Sequence, residues 1–186
     1  MINNSWPGTD CPGVVWHGKS LHRFNAEGGW DSAPDGGLDS DQTLLIVFAS
    51  SQPDAAVAQQ LAELRQTFPR ATLIGCSSSG EIYGEDLHDD AIVLAAIRFG
   101  HTRIRLAHTR VDSARGSTAA GRAIAEKLQA DDLTAVFTLT DGLLLNGSAY
   151  TEALGAALPT DVVVTGGLAG DAAWCWGHVS KKKSRR

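Results

Sequence analysis

The sequence predicts an α/β fold in which a layered, mixed β-sheet is flanked by helices, with strand-helix-strand units and one antiparallel hairpin. From Gln42 onward, short apolar runs alternate with segments of helical periodicity, which is the pattern of buried strands joined by helices. Prolines follow two of the helical segments. The order strand, helix, proline, strand also occurs twice in the chain. These three observations favour parallel strands packed against helices.

The first 40 residues differ in composition from the rest of the chain. They are rich in Gly, Asp, Asn and Pro, as in EGGWDSAPDGGLDSD, and this composition is typical of loops and linkers. We therefore expect residues 1–40 to form a loosely ordered lead with one short strand near residues 14–17. A folded domain over residues 41–171 and an atypical basic tail over residues 172–186 are expected to follow.

The first strand-helix-strand unit covers residues 43–76. TLLIVFAS (43–50) is an apolar run that ends in small polar residues, as expected of a strand buried on both faces. After Pro53, DAAVAQQLAELRQTF predicts a helix that Pro69 ends. The apolar face of this helix carries Val57, Leu61, Leu64 and Phe68. ATLIGC is then the second buried strand.

Two further strands are predicted in the middle of the chain. AIVLAAIRF (91–99) is apolar throughout, and in TRIRLAHTRV (102–111) apolar and charged residues alternate. Only Gly100 and His101 separate the two segments, so we expect them to pair as an antiparallel hairpin.

A helix and a second strand-helix-strand unit complete the predicted domain. The helix covers residues 114–129, with Ala120, Ile124 and Leu128 facing inward. LTAVFTLTDG, SAYTEALGAAL and DVVVTGG then give a strand, a helix and a strand. This unit follows the first at a distance of about ninety residues, which indicates an internal repeat. Ligands of parallel strand-helix units lie beyond the carboxyl ends of the strands.

Composition and charge argue against a nucleic-acid-binding, membrane-spanning or secreted protein. The chain has 186 residues, a formal net charge of -5 and a pI near 5.6, which argues against a nucleic-acid-binding face. It contains no apolar run of the length that a transmembrane helix needs, and its N-terminus lacks the features of a secretion signal. Cys11, Cys76 and Cys175 are far apart and show no disulfide framework. We expect a cytoplasmic protein without membrane or nucleic-acid partners.

The stretch TLIGCSSSGEIYGED (72–86) carries the densest group of small polar residues. Gly75 and Gly80 have the spacing of the P-loop glycines, but the P-loop lysine is replaced by Glu81, which would repel phosphate. The G-x-S-x-G pattern of a nucleophile turn lacks its last glycine, and too few residues follow for the helix that both motifs need. Both catalytic interpretations are weakened.

Three motifs at the strand ends, LIGCSSSGEI, LTDGLLLNG and TGGLAGD, together resemble the N-terminal domain of the FIST family, the F-box and intracellular signal transduction proteins. The resemblance covers residues 41–171. It implies a cytoplasmic sensory domain that binds small ligands such as amino acids. It further implies partners such as histidine kinases, chemotaxis receptors or cyclic-nucleotide enzymes. The tail AAWCWGHVSKKKSRR departs from the family pattern, so we expect a truncated or frame-shifted chain after about residue 171.

The strand ends provide the groups for a zwitterion site. Successive backbone N–H groups after Gly75 can form a nest for a carboxylate. Glu81, Asp141 and Asp171 are expected on one rim, where they can accept hydrogen bonds from an ammonium group. The candidate ligand-binding residues are Ser50, Gly75, Cys76, Ser77, Ser78, Ser79, Gly80, Glu81, Asp141, Asn146, Gly166, Gly167 and Asp171. No cofactor is expected, and the six histidines lack metal-ligand spacing.

Other interpretations of the same residues remain open. Ser78-x-x-Glu81 is also the pattern of a capping box at a helix start. Cys76 is more often a core residue than a reactive thiol, and the glycines can simply form turns. The competing function is a hydrolase with Cys76 or Ser77 as nucleophile, followed in the chain by an Asp and His178. An inactive fragment is the third possibility.

Overall fold

The computed structural model describes residues 16–50, 55–170 and 175–178 of the chain. The six strands of its main sheet are β1 Trp16–Asn25, β2 Gly29–Trp30, β3 Thr43–Ser50, β4 Thr72–Ser78, β7 Ala91–Phe99 and β10 Cys175–His178. They lie side by side in the order β10-β4-β3-β7-β1-β2. Two smaller sheets consist of β5 Glu81–Tyr83 with β6 Asp86–His88, and of β8 Ala135–Thr140 with β9 Val163–Leu168. The helices are α1 Ala55–Thr67, α2 Ser117–Leu128 and α3 Gly147–Ala156.

The first strand-helix-strand unit has the predicted form. β3 and β4 run parallel, joined through α1, which ends just before Pro69. Leu64 and Phe68 are buried and Leu61 packs against the same core, as their helical spacing predicts. The side chain of Val57 and the residues around Pro53 lie outside the described part. This core fills the space between α1 and the sheet, where burying each large aliphatic side chain contributes about 1.5–3 kcal/mol.

The second unit repeats the arrangement. β8 and β9 run parallel and α3 connects them, so the second predicted strand-helix-strand unit is present in the structure. Helix α2 packs on α3 and, as predicted, buries Ala120, Ile124 and Leu128. β8 and β9 form a sheet of their own rather than extending the main one.

The predicted hairpin between residues 91–99 and 102–111 is wrong. Residues 102–111, all of them described, form neither strand nor helix. The physical reason lies in β7, whose two edges are occupied by β1 and β3 in antiparallel register. Arg103 and Arg105 instead contact Asp132 at 3.5 Å and 3.3 Å.

Part of the N-terminal segment is ordered more extensively than its composition indicates. β1 covers residues 16–25, beyond the short strand expected near residues 14–17, and β2 is a second strand. The Gly-rich stretch forms the turn between them, in which Asn25 Oδ1 accepts a hydrogen bond from Gly28 N–H. Trp30 Nε1 donates to Gln60 Oε1 of α1 at 2.7 Å and thereby ties this segment to the helix. Residues 1–15 lie outside the described part.

The chain after residue 171 contributes a strand that the sequence did not predict. β10 pairs antiparallel with β4 and forms an edge of the main sheet. The rest of the predicted tail, residues 172–174 and 179–186, lies outside the described residues.

The contact between α2 and α3 leads to a testable prediction. A Cβ atom at Gly121 of α2 would lie 2.5 Å from the Tyr150 carbonyl oxygen and 2.9 Å from Leu154 N of α3. We expect Gly121→Ala to force the helices apart and to lower the free energy of unfolding by about 1–3 kcal/mol. Urea unfolding followed by circular dichroism measures this change.

Gly155 supplies the matched control for that substitution. It lies in α3, and a Cβ atom there would meet nothing within 4 Å. Gly155→Ala should therefore raise stability by about 0.5–1 kcal/mol through helix propensity. Equal stability of the two variants would show that the close helix approach is not limiting.

Candidate functional site

The carboxyl ends of the four parallel strands meet in one region of the molecule. Ser50 of β3 stands opposite Ser78 of β4, and Thr140 of β8 stands opposite Leu168 of β9. A hydrogen bond connects the β3–β4 pair with the β8–β9 pair. In it, Ser77 Oγ of β4 donates to the carbonyl oxygen of Gly170, which follows β9, at 3.2 Å. The structure thus brings together the strand ends that the sequence identified as the candidate site.

The loop after β9 approaches the loop after β4 so closely that Gly170 must be a glycine. A Cβ atom on Gly170 would lie 2.6 Å from Ser79 Oγ and 2.9 Å from Ser79 N. Gly142, at the end of β8, likewise packs directly against the Ala169 carbonyl. The motifs GCSSSG, TDG and GLAG therefore form one packed set of loops.

Two other candidate glycines lie within the parallel strand pairs. A Cβ atom on Gly75 would lie 2.5 Å from the Val47 carbonyl oxygen, and one on Gly166 would collide with the Thr138 backbone. Gly166 also has a φ of 138°, which side-chain-bearing residues rarely adopt. Gly167 differs, since a Cβ atom there would meet nothing within 4 Å. A side chain could therefore be accommodated at Gly167 but not at Gly75 or Gly166.

The Ser78–Glu81 pair does not cap a helix. β4 passes through a turn directly into β5, so the capping-box interpretation is wrong for this segment. Ser78 Oγ lies 2.9 Å from Glu81 Oε1 and 3.1 Å from the Gly80 carbonyl oxygen, which closes the turn. The same absence of a helix after β4 confirms that this stretch has neither P-loop nor nucleophile-turn geometry.

Glu81 is buried instead of lying on an open rim. Its side chain is 1% exposed, and its second carboxylate oxygen accepts a hydrogen bond from Ala91 N–H at 3.3 Å. Burial raises the pKa of Glu81, and the charges of Asp89 and Asp90 add to the rise, while the bonds from Ser78 and Ala91 oppose it. The carboxyl group therefore stabilises the turn from within, and a role in ligand contact stays a prediction.

Asp141 and Asn146 organise the loop that follows β8. Asp141 Oδ1 accepts hydrogen bonds from Leu143 N–H and Leu144 N–H, both at 2.8 Å. Asn146 Oδ1 accepts from Ala149 N–H at 3.0 Å and so caps α3. Both side chains thus have local structural roles at the strand end. Asp171, the remaining acidic candidate, lies outside the described residues.

A cavity of about 430 Å³ opens between the two units. Its lining comes from Ile74 and Gly75 of β4, from residues 105–112, and from β8 and α2. At its β8 side, the cavity meets Thr138, Thr140 and Asp141, and Tyr150 of α3. Such a volume is typical of small-molecule sites. The lining combines apolar side chains with polar and charged ones, among them Arg105, His108, Arg110 and Asp112.

A hydroxyl pair in this cavity was missed by the sequence analysis. Tyr150 Oη and Thr138 Oγ1 are 2.9 Å apart and share a hydrogen bond. Burial raises the pKa of Tyr150, and the hydrogen bond to Thr138 opposes this rise. Tyr150 is therefore a neutral hydrogen-bonding group at physiological pH. Its signal in the sequence was weak, because a tyrosine within a predicted helix is usually a core residue.

Comparison with known protein families decides the identity of the domain. The model of the FIST N domain matches residues 43–181, which is most of the chain. The chain belongs to the FIST family. FIST domains are sensory domains of signal transduction. The match includes residues 172–181, which the sequence analysis assigned to an atypical tail.

No curated protein matched this FIST chain. Within the described residues, no helix has both the length and the apolar character needed to cross a bilayer. The described side chains also contain no cluster of three or more His, Cys, Asp or Glu groups arranged around a metal position.

The hydrolase alternative finds little support in the geometry of this FIST domain. Ser77 is fully buried and its hydroxyl donates to the Gly170 carbonyl, so the group is already used in joining the loops. Cys76 is 2% exposed within β4. His178 belongs to β10, but its side chain lies outside the described part.

The buried carboxyl group of Glu81 predicts a pH effect on stability. Because its folded pKa is raised above 4.5, the folded protein binds this proton more tightly than the unfolded chain. The resulting stabilisation is complete below that value and is lost as the pH rises through the folded pKa. We expect Glu81→Gln, which stays neutral, to gain stability relative to the parent protein as the pH rises from about 4 to about 8.

Urea unfolding at a series of pH values measures this difference, with Glu85→Gln as the control. Glu85 is exposed in the turn between β5 and β6, so its substitution makes the same chemical change while leaving the buried carboxyl group of Glu81 in place. A pH-independent difference for Glu81→Gln would contradict the assignment of a raised pKa.

Proposed function

We propose that this FIST domain binds a free amino acid or a similar small zwitterion in the cavity at the carboxyl end of β8. The observation that carries the proposal is the cavity of about 430 Å³ between the two units, whose lining includes Asp141, the hydroxyl groups of Thr138, Thr140 and Tyr150, and apolar side chains of α2. The volume lies within the range of about 300–1,000 Å³ that is usual for ligand pockets. In this proposal the ligand lies at the carboxyl end of β8, whereas the sequence alone predicted a backbone nest after Gly75.

Asp141 is the proposed acceptor for the ligand's ammonium group. Its Oδ1 atom takes both loop N–H bonds, and among the described contacts Oδ2 takes none. A carboxylate at this position can form a charge-assisted hydrogen bond with an ammonium group. Thr140, the preceding residue, also lines the cavity and offers its hydroxyl to the carboxylate of the same ligand.

The Tyr150–Thr138 pair is suited to a polar group on the ligand's side chain. The two hydroxyls carry two protons, and their mutual hydrogen bond uses one of them. The other proton is available for an acceptor on the ligand. The apolar surface of α2, including Ile124 and Leu128, meets the remainder of the ligand.

The proposed output is signal transduction through a partner. Ligand binding in a cavity between two structural units favours one relative arrangement of them, by as much as its affinities for the two arrangements differ. A histidine kinase, a chemotaxis receptor or a cyclic-nucleotide enzyme is the class of partner that such a change would regulate. The domain itself performs no turnover in this proposal.

Thermal unfolding of the chain with each common amino acid at millimolar concentration tests the proposal. Binding to the folded state raises the melting temperature by mass action, so one chemical subset of amino acids should give a selective rise. Asp141→Asn should abolish that rise with little loss of stability, because an asparagine Oδ1 can still accept the two loop N–H bonds.

Asp161→Asn is the control for this experiment. Asp161 is exposed and lies just before the amino end of β9, whereas the proposed site lies at the carboxyl ends of the strands. This variant should keep the full ligand-dependent rise. Loss of the rise in both variants, or in neither, would place the ligand elsewhere, and no rise with any amino acid would overturn the proposal.

A further inference from the structure

Two cysteines that are far apart in sequence occupy directly paired backbone positions in neighbouring strands at the edge of the main sheet. In the antiparallel pairing of β10 with β4, Cys175 is the direct partner of Cys76. The register is unbroken over the neighbouring pairs, with Trp176 opposite Gly75 and Gly177 opposite Ile74. The pairing therefore brings together two residues that the sequence analysis separated.

The backbone spacing of such a pair fits a disulfide. Directly opposed residues of antiparallel strands have Cα atoms about 4.5 Å or about 5.5 Å apart, depending on which type of pair they form. Disulfides are formed between residues whose Cα atoms are about 4.4–6.8 Å apart. Both types of opposed pair lie within this range.

We propose that Cys76 and Cys175 are a modification site, at which oxidation forms a reversible disulfide between β4 and β10. The proposal is independent of which ligand the cavity binds. In the hydrolase interpretation Cys76 attacks a substrate, whereas here it forms a bond with a second cysteine of the same chain.

A small-molecule disulfide, such as oxidised glutathione, is the oxidant in this reaction. One protein thiolate attacks a sulfur of the small disulfide, forms a mixed disulfide and releases the first small thiol. The second protein thiolate then attacks the protein sulfur of the mixed disulfide and releases the second small thiol. Two protein thiols are oxidised, one small disulfide is reduced to two thiols, and the two protons remain with the released thiols.

The covalent bond would act on the loops at the strand ends. Cys76 directly precedes Ser77, whose hydroxyl donates to the Gly170 carbonyl, and Cys175 follows that loop a few residues later. A disulfide would close a loop of about 100 residues that contains the whole second strand-helix-strand unit. Oxidation would therefore join the chain segment after this unit to the end of β4, and the unit would lie within the closed loop.

The test incubates the folded full chain with oxidised glutathione and then removes the reagent. We expect a monomer whose mass is lower by about 2 Da, with a peptide map that links Cys76 to Cys175. The melting temperature should rise by about 10 °C and fall back after treatment with dithiothreitol. Cys11→Ser, the control, should keep all three responses, whereas Cys175→Ser should lose them.

A second measurement separates a prearranged pair from thiols that meet by chance. In glutathione redox buffers, the equilibrium constant for forming the Cys76–Cys175 bond should be at least about 100-fold larger in the folded chain than in concentrated urea. Equal constants, a linkage through Cys11, disulfide-linked dimers, or no loss of mass would each overturn the proposal. Because Cys175→Ser and Cys11→Ser leave the core residue Cys76 in place, the comparison does not depend on a core substitution.

Discussion

The close approach of the loop at Gly170 to Ser77 and Ser79 is the contact on which the arrangement of the site depends. β8 and β9 share no strand pairing with the main sheet, so their position beside β4 rests on loop contacts and side-chain packing. The hydrogen bond from Ser77 to the Gly170 carbonyl fixes one end of this connection. The approach leaves no space for a side chain at Gly170, so the backbone of this loop packs directly against Ser79.

The two strand-helix-strand units could be predicted because their signals are local. Continuous apolar runs such as residues 43–50, with a proline after the helix, specify a buried strand and the end of its helix without reference to distant residues. The pairing partner of a strand is not a local property. Residues 102–111 alternate like a strand and still form none, because β1 and β3 occupy both edges of β7.

The sequence placed the candidate residues at the strand ends but not the contacts that each of them makes. The rule that ligands lie beyond the carboxyl ends of parallel strands led to loops that the structure brings into contact. It could not show that Glu81 is buried or that Tyr150 and Thr138 share a hydrogen bond at the cavity wall. Nor could spacing along the chain show that Cys76 and Cys175 occupy the same position in neighbouring strands, since that register is created only by folding.

The N-terminal strands have a consequence for how the boundaries of this domain are drawn. The family match begins at residue 43, whereas β1 lies before it and pairs with β7 along nearly its whole length. A chain shortened to the matched region would leave the N–H and C=O groups along one side of β7 without partners. It would also uncover part of the apolar core against which Phe24 and Trp30 pack. A long apolar strand with an open side is a template for intermolecular pairing, so we expect a chain without residues 16–30 to associate more readily than the full chain.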